Sequence, residues 1–141
     1  MERRDQIIMS NKIVFHPAAL VEKDGKLIQL ANKCWDCGKT SYPAAELCMF
    51  CSSENVEKAP LSKRGKLFSF SVTRVPVGPY KPPFISGYID LPEGTRIFGQ
   101  IYAKVEDVRT GMTVEVKTGV IWTEKDGTEV LGYYYVPCES D

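Results

Sequence analysis

Two Cys-x-x-Cys pairs, Cys34/Cys37 and Cys48/Cys51, stand ten residues apart in "CWDCGKTSYPAAELCMFC". No other feature restricts so tightly what this chain can fold into. A tetrahedral Zn²⁺ takes four soft ligands at about 2.3 Å, and two such turns supply four thiolates. The two-residue spacing lets both sulfurs of one tight turn reach one ion while backbone N–H groups point back at them. Gly38, directly after Cys37, suits a position that often takes a positive φ, which glycine adopts without strain. Ten intervening residues suffice for a short hairpin that returns the chain to the metal. Four thiolates on a divalent ion leave net negative charge, and Lys33 and Lys39 lie close enough in sequence to offset part of it.

The module is too short to build a hydrophobic core that would fold it unaided. Metal binding is worth about 10–16 kcal/mol in structural zinc peptides and replaces the missing core. Two other readings are disulfides and a redox-active Cys-x-x-Cys. The start, "MERRDQIIMSNK", is charged and has no apolar h-region, which predicts no secretory signal and a cytoplasmic location where thiols stay reduced. A thioredoxin-type site would open a helix inside a βαβ unit, and no segment has that pattern. The expected cofactor is therefore Zn²⁺, with iron the lesser alternative because the same four-sulfur geometry accepts it. Four filled positions leave no place for substrate, so the module is expected to be structural.

The 141 residues fit one ordinary domain, or a small module attached to one. Residues 1–32 form an N-terminal arm with a turn expected at Asp24-Gly25, residues 33–56 the zinc ribbon, and residues 57–141 a further domain rich in strand patterns. In "GKLFSFSVTRV" the alternation places Phe68, Phe70 and Val72 on one face and Leu67, Ser69 and Ser71 on the other. "FISGYIDL" and "TRIFGQIYAKV" follow, separated by the turn-like "PEGT". "EDVRTGM" suits one helical turn ending at Gly111. "TVEVKTGVIW" places Val114, Val116, Val120 and Trp122 on one side, "EKDGTE" carries an Asp-Gly turn, and "VLGYYYVP" makes the last strand. Five strands and one short helical element predict a small antiparallel barrel of the OB type. Interior glycines Gly87, Gly99, Gly119 and Gly132 suit the bends and bulges that close such a barrel. The fold expected is thus mainly β: arm, rubredoxin-like zinc ribbon, then a five-stranded OB-type barrel.

Net charge is zero, but its distribution is uneven. Between Glu57 and Lys81 six basic residues face Glu57 alone, whereas Phe84 to Asp141 holds ten acidic residues against five basic. Lys63, Arg64, Lys66 and Arg74 in the basic stretch are candidates to meet phosphates, although a neutral whole argues against a general nucleic-acid binder. Groups for catalysis are scarce. His16 is the single histidine and lies in the arm. Cys138, the one cysteine outside the module, has neither a base nor a helix N-terminus beside it in sequence. Glu106-Asp107 reads as a solvated turn, and no Gly-rich phosphate loop, Gly-x-Ser-x-Gly elbow or His-Glu-x-x-His is present. The Pro-rich "VPVGPYKPPF" is instead a stiff loop on which Tyr80 and Phe84 would be anchors for a partner or ligand, flanking Pro82 and Pro83. In "GYYYVP", Tyr133 and Tyr135 share one strand face and Tyr134 takes the other.

In this order the segments "DGKLIQLANKCWDCGKTSYPAAELCMFC", "GKLFSFSVTRV", "PYKPPFISGYIDLPEGTRIFGQI", "RTGMTVEV" and "YYYVP" resemble a family of small acyl-CoA-associated proteins. These are catalogued as a domain of unknown function and join a rubredoxin-like zinc ribbon to an OB fold. The resemblance runs from about residue 24 to the end. It implies a non-catalytic subunit that assembles with a larger thiolase-like, aldolase or hydratase subunit and assists the binding of a CoA thioester. It further implies that Cys34, Cys37, Cys48 and Cys51 hold the metal. One setting for such subunits is the heteromeric thiolases of aromatic-compound degradation, toluene breakdown included. The chain departs from the family in reducing the N-terminal helical region to a short arm, and in carrying Cys138, to which no family role transfers. Two alternatives make different predictions: a single-stranded nucleic-acid-binding ribbon/OB protein would bind in a steeply salt-dependent way, and an iron-containing electron carrier would be coloured.

Overall fold

The computed structural model describes residues 20–138 and the backbone of residues 12–14. His16 and most of the first half of the arm lie outside the described residues. The strands are β1 (Lys12–Val14), β2 (Leu20–Lys23), β3 (Lys26–Cys34), β4 (Thr40–Ser41), β5 (Val56–Pro60), β6 (Arg64–Thr73), β7 (Phe84–Asp90), β8 (Arg96–Ile101), β9 (Thr113–Thr123) and β10 (Glu129–Pro137). A 3-10 turn at Val105–Asp107 is the one helical element among the described residues. It carries the exposed Glu106 and Asp107. No helix among the described residues is long and apolar enough to cross a membrane.

The chain divides into two compact units. One comprises Met1–Leu61, Glu93–Thr95 and Thr118–Gly132. In it β3 is the central strand, paired antiparallel with β2, β4 and β5. The β2–β3 turn is tight because Asp24 and Gly25 both take positive φ, 54° and 78°. That pair of left-handed residues matches the twist of a two-residue hairpin. β3 then runs without a break into Cys34, so one strand carries the first cysteine turn. Leu20, Ala31, Cys34, Cys48, Val130 and Leu131 are buried in this unit.

The second unit comprises Ser62–Pro92, Arg96–Lys117 and Tyr133–Asp141. β6 pairs antiparallel with β7 and with β9, and β7 pairs antiparallel with β8. β8 meets β10 in parallel at Ile101 and Tyr135, and β9 also pairs with β10, which closes a five-stranded ring. The expected OB-type barrel is therefore present, with its one parallel joint at β8–β10. Leu67, Ile85, Ile89, Ile97, Ile101, Val114 and Tyr135 are at most 2% exposed and form its core. They come from alternate positions, as the period of a half-buried strand requires.

One expectation about faces fails, for a local reason. Phe68 does not share the face of Phe70 and Val72. Up to Phe68 the strand alternates regularly, with Gly65 and Leu67 buried and Phe68 53% exposed; a bulge between Leu67 and Ser69 then shifts the register, so that Phe70 and Val72 pair with the inward Gly87 and Ile85. One added residue flips every later side chain, which is why the simple alternation put all three on one face. On β9, Val114 is fully buried, and Val120, farther along the strand, is 41% exposed.

The interior glycines act through close approach more than through bending. A Cβ at Gly87 would lie 2.6 Å from the Ser69 carbonyl oxygen, and one at Gly132 would lie 2.6 Å from Ile121 Cδ1. Gly99 lets the Tyr135 ring lie flat on β8, where a Cβ would come within 3.0 Å of Cδ1. Gly119 has nothing that close. Gly99→Ala is expected to lower stability by about 1–3 kcal/mol, the usual cost of overpacking. A thermal melt that matches the parent within a degree would refute the contact.

Candidate metal centre

The four Sγ atoms of Cys34, Cys37, Cys48 and Cys51 lie within 4.8 Å of one another. Cys34 and Cys51 are 3.6 Å apart, and Cys37 and Cys48 are 3.7 Å apart. These separations are far from the roughly 2.05 Å of a disulfide. They match the edges, about 3.8 Å, of a tetrahedron built on metal–sulfur bonds of about 2.3 Å. The four thiols could therefore hold one metal ion with little movement.

Each cysteine turn is organised by its backbone. Gly38 donates its N–H to the Cys34 carbonyl and takes φ 79°, while the Cys37 N–H points at Cys34 Sγ at 3.4 Å. The second turn repeats this with Ser52, which donates to the Cys48 carbonyl at φ 65°, and with the Phe50 N–H, 3.4 Å from Cys48 Sγ. The glycine of the first turn was a sequence signal. Its serine counterpart gave none.

Polar side chains tie the two turns together. Asn32, 1% exposed, donates from Nδ2 to the Ala45 carbonyl at 2.8 Å and so pins the loop that leads to Cys48. Asp36 accepts from Ser53 Oγ and, at 3.2 Å, from Asn55 Nδ2. These bonds, Ser53 first and Asn55 second, hold its carboxyl below the usual range. Lys33 lies over the Trp35 ring at 4.6 Å and Lys39 over the Phe50 ring at 4.9 Å. Trp35, Met49 and Phe50 stand exposed at the tips of the turns.

The thiols are electrostatically divided. The Cys37 N–H, as the largest influence, brings Cys34 below its ordinary value, and the N–H groups of Cys51 and Phe50 bring Cys48 down to about 7. The Ser53 N–H favours the Cys51 thiolate, but the Cys34 thiol, desolvation and the other two thiols outweigh it and push Cys51 up to about 12. Cys37 is likewise raised: desolvation and its neighbours Cys48 and Cys34 overcome the help of the Lys39 N–H. Four sulfurs at these distances cannot all ionise without a cation between them. A divalent ion removes that conflict and binds the deprotonated set.

The other candidate residues fall into separate places. Arg64 and Lys66 point from the same face of β6 and line an open cleft of about 390 Å³ with Leu91, Pro92 and Thr113. Lys63 precedes the strand, and its carbonyl accepts from the Val116 N–H. Arg74 follows the far end of β6, roughly 25 Å from Lys66 along an extended strand. The four cations therefore do not converge. In the Pro-rich loop, Tyr80 pairs with Val77 and its ring sits 5.4 Å from that of Phe84, while Pro82, Pro83, Val75 and Val77 are exposed. Tyr80 and Phe84 are half-buried, whereas the valines and prolines of this loop are exposed. Tyr133 and Tyr135 share one side, as expected, and Tyr134 stacks on Tyr102 with centroids 4.1 Å apart. Cys138 donates its N–H to the Thr113 carbonyl at the end of β10.

Known proteins resemble this chain along most of its length. Residues 58–119 match the family described as the C-terminal OB-fold domain of ChsH2. Benzoylsuccinyl-CoA thiolase subunit BbsA of Thauera aromatica is 37% identical, over 86% of this chain and 85% of its own. A DUF35 domain-containing scaffold protein of Methanocaldococcus jannaschii is 35% identical, over 77% of this chain and 80% of its own. Among solved structures, the Ltp2–ChsH2(DUF35) aldolase has a chain that superposes with a TM-score of 0.63 at 18% identity, covering 78% of this chain and 84% of that one. That structure supports the fold alone. With the four-thiol centre, the closed barrel and these likenesses together, the chain belongs to the DUF35 family of ribbon and OB-fold proteins.

Proposed function

We propose that this chain is a non-catalytic accessory subunit of a heteromeric enzyme that processes acyl-CoA thioesters, most simply a thiolase acting on an aromatic acyl group. The observation that carries the reading is the 37% identity, along nearly all of both chains, to a benzoylsuccinyl-CoA thiolase subunit. In this reading a larger subunit supplies the nucleophile and base, and this chain supports the complex and helps to hold the CoA moiety. Zn²⁺ is the structural ion of the four-thiol centre, because thiolates are soft ligands and a closed tetrahedral set suits it. Arg64 and Lys66, with Lys63 beside them, are the cations that would meet CoA phosphates. Arg74 and the loop bearing Tyr80, Pro82, Pro83 and Phe84 would contact the partner or the pantetheine arm.

The test is purification of the tagged chain from its native host, followed by mass spectrometry. A thiolase-like protein should co-purify in stoichiometric amount, and thiolytic activity should require both chains. Recovery of the zinc-loaded chain without any acyl-CoA enzyme, under gentle lysis, would overturn the proposal.

A further inference from the structure

We propose that the outer face of β6, β7 and β8 binds a phosphorylated adenine nucleotide moiety, the base on exposed aromatic rings and the phosphate at Arg64 and Lys66. The proposal rests on the CoA-handling reading above for its physiological source, but it concerns a surface that can be tested without any partner.

Three large rings stand on this face where polar side chains would be expected. Phe68, Tyr88 and Phe98 are 53%, 46% and 53% exposed, on three adjacent strands. Tyr88 and Phe98 face each other across the β7–β8 pair and meet edge to face, with centroids 5.3 Å apart. Phe68, exposed on β6 in alternation with Arg64 and Lys66, joins them, and the Arg96 guanidinium lies 3.6 Å from its ring centroid. The barrel core does not use these rings. Exposed rings held rigidly on a sheet are stacking platforms, because every nucleobase offers a π-face. The second and third strands of an OB barrel, here β7 and β8, form its usual ligand face.

Phosphate-binding groups lie two residues farther along the same face. Lys66 is in register with Thr113 on one side and Asp90 on the other, and Asp90 is in register with Arg96. Arg96 grips Asp90 in a two-bonded fork, Nε to Oδ1 at 2.5 Å and Nη2 to Oδ2 at 3.0 Å. That fork occupies the carboxylate that would otherwise oppose an anion. Lys66 Nζ donates to Thr113 Oγ1 at 2.6 Å, and Arg64 contacts Glu115 more loosely at 3.5 Å. Both cations border the open surface cleft, with Leu91, Pro92 and Thr113. Residues two apart on one strand are separated by about 6.7 Å. A base stacked at Tyr88 and Phe98 therefore brings its phosphate within reach of the Lys66 side chain. Two cations at one cleft, in a chain of zero net charge, suit a mononucleotide group better than a polynucleotide track.

Isothermal titration of the metal-loaded chain decides the matter. The probes are CoA, adenosine 3′,5′-bisphosphate, pantetheine and a short oligo(dA). CoA and the bisphosphate should bind with affinities within about threefold of each other, and pantetheine should not bind. This comparison separates the nucleotide end of CoA from the rest of it. Phe98→Ala and Lys66→Gln should each weaken CoA at least tenfold, while Lys125→Gln, on the exposed β9–β10 turn, should leave it unchanged. Both site residues are exposed, so these variants should melt with the parent. The proposal is overturned if no nucleotide saturates the chain, if pantetheine alone competes with CoA, or if Phe98→Ala binds normally. Tighter binding of the oligomer than of an equal concentration of bisphosphate sites would also overturn it, in favour of a nucleic-acid surface. Failure here with successful thiolase co-purification removes this site and leaves the subunit role standing. The reverse result removes the subunit role alone.

Discussion

Cys34→Ser is expected to reduce bound metal from about one ion per chain to a small residue and to unfold the segment around it. Cys34 is 1% exposed and closes the end of β3, so its sulfur cannot be replaced by a neighbour. A serine hydroxyl is a hard, protonated oxygen at neutral pH and a poor substitute for a thiolate on a soft site. The loss removes a large part of about 10–16 kcal/mol of metal-coupled folding energy. The β3, β4 and β5 pairings around the turns bury few large apolar side chains that might compensate. Elemental analysis gives the metal content, and hydrogen exchange over residues 26–60 gives the local fold. A variant that keeps its ion and its amide protection would rule out four-thiolate coordination.

The second large effect is expected in the barrel. Tyr135 is fully buried where β10 meets β8 in parallel, and its ring lies on Gly99. Tyr135→Ala leaves a cavity the backbone cannot close, because the facing residue is already a glycine. Large aromatic-to-alanine changes in cores cost about 3–5 kcal/mol. For a small domain that lowers the melting temperature by at least ~10 °C. Differential scanning calorimetry measures it. A drop below about 3 °C would mean that the β8–β10 joint contributes little to stability.

Much of this architecture was legible because its signals are local. Gly38 and Asp24-Gly25 are positions where φ must be positive, and glycine or aspartate marks them. The cysteine spacing reports on a single metal-sized cavity. Alternation in "FISGYID" is read directly off β7, where Ile85, Gly87 and Ile89 point inwards. Other features left weaker traces. Ser52 takes the same left-handed conformation as Gly38 without being a glycine. Asn32 looks like an ordinary polar residue until Ala45 and Leu47, more than ten positions away, are seen to accept from it. The cation set was grouped by nearness in sequence, and the length of β6 separates Arg74 from Arg64 and Lys66.

The sequence by itself determined the four-cysteine pattern that could hold a metal ion, the order of ribbon and barrel, and the scarcity of catalytic groups among its residue types. Each depends on which residue stands at which spacing, and that is written in one dimension. Only the tertiary structure decided which aromatic rings face solvent and which cations share a cleft. A single bulge between Leu67 and Ser69 puts Phe70 and Val72 on the opposite face from Phe68, which stands outside beside Arg96, Tyr88 and Phe98. The physical reason is that strand register is set by pairing with β7 and β9 together. No property of "GKLFSFSVTRV" taken alone shows where its partners force an extra residue out.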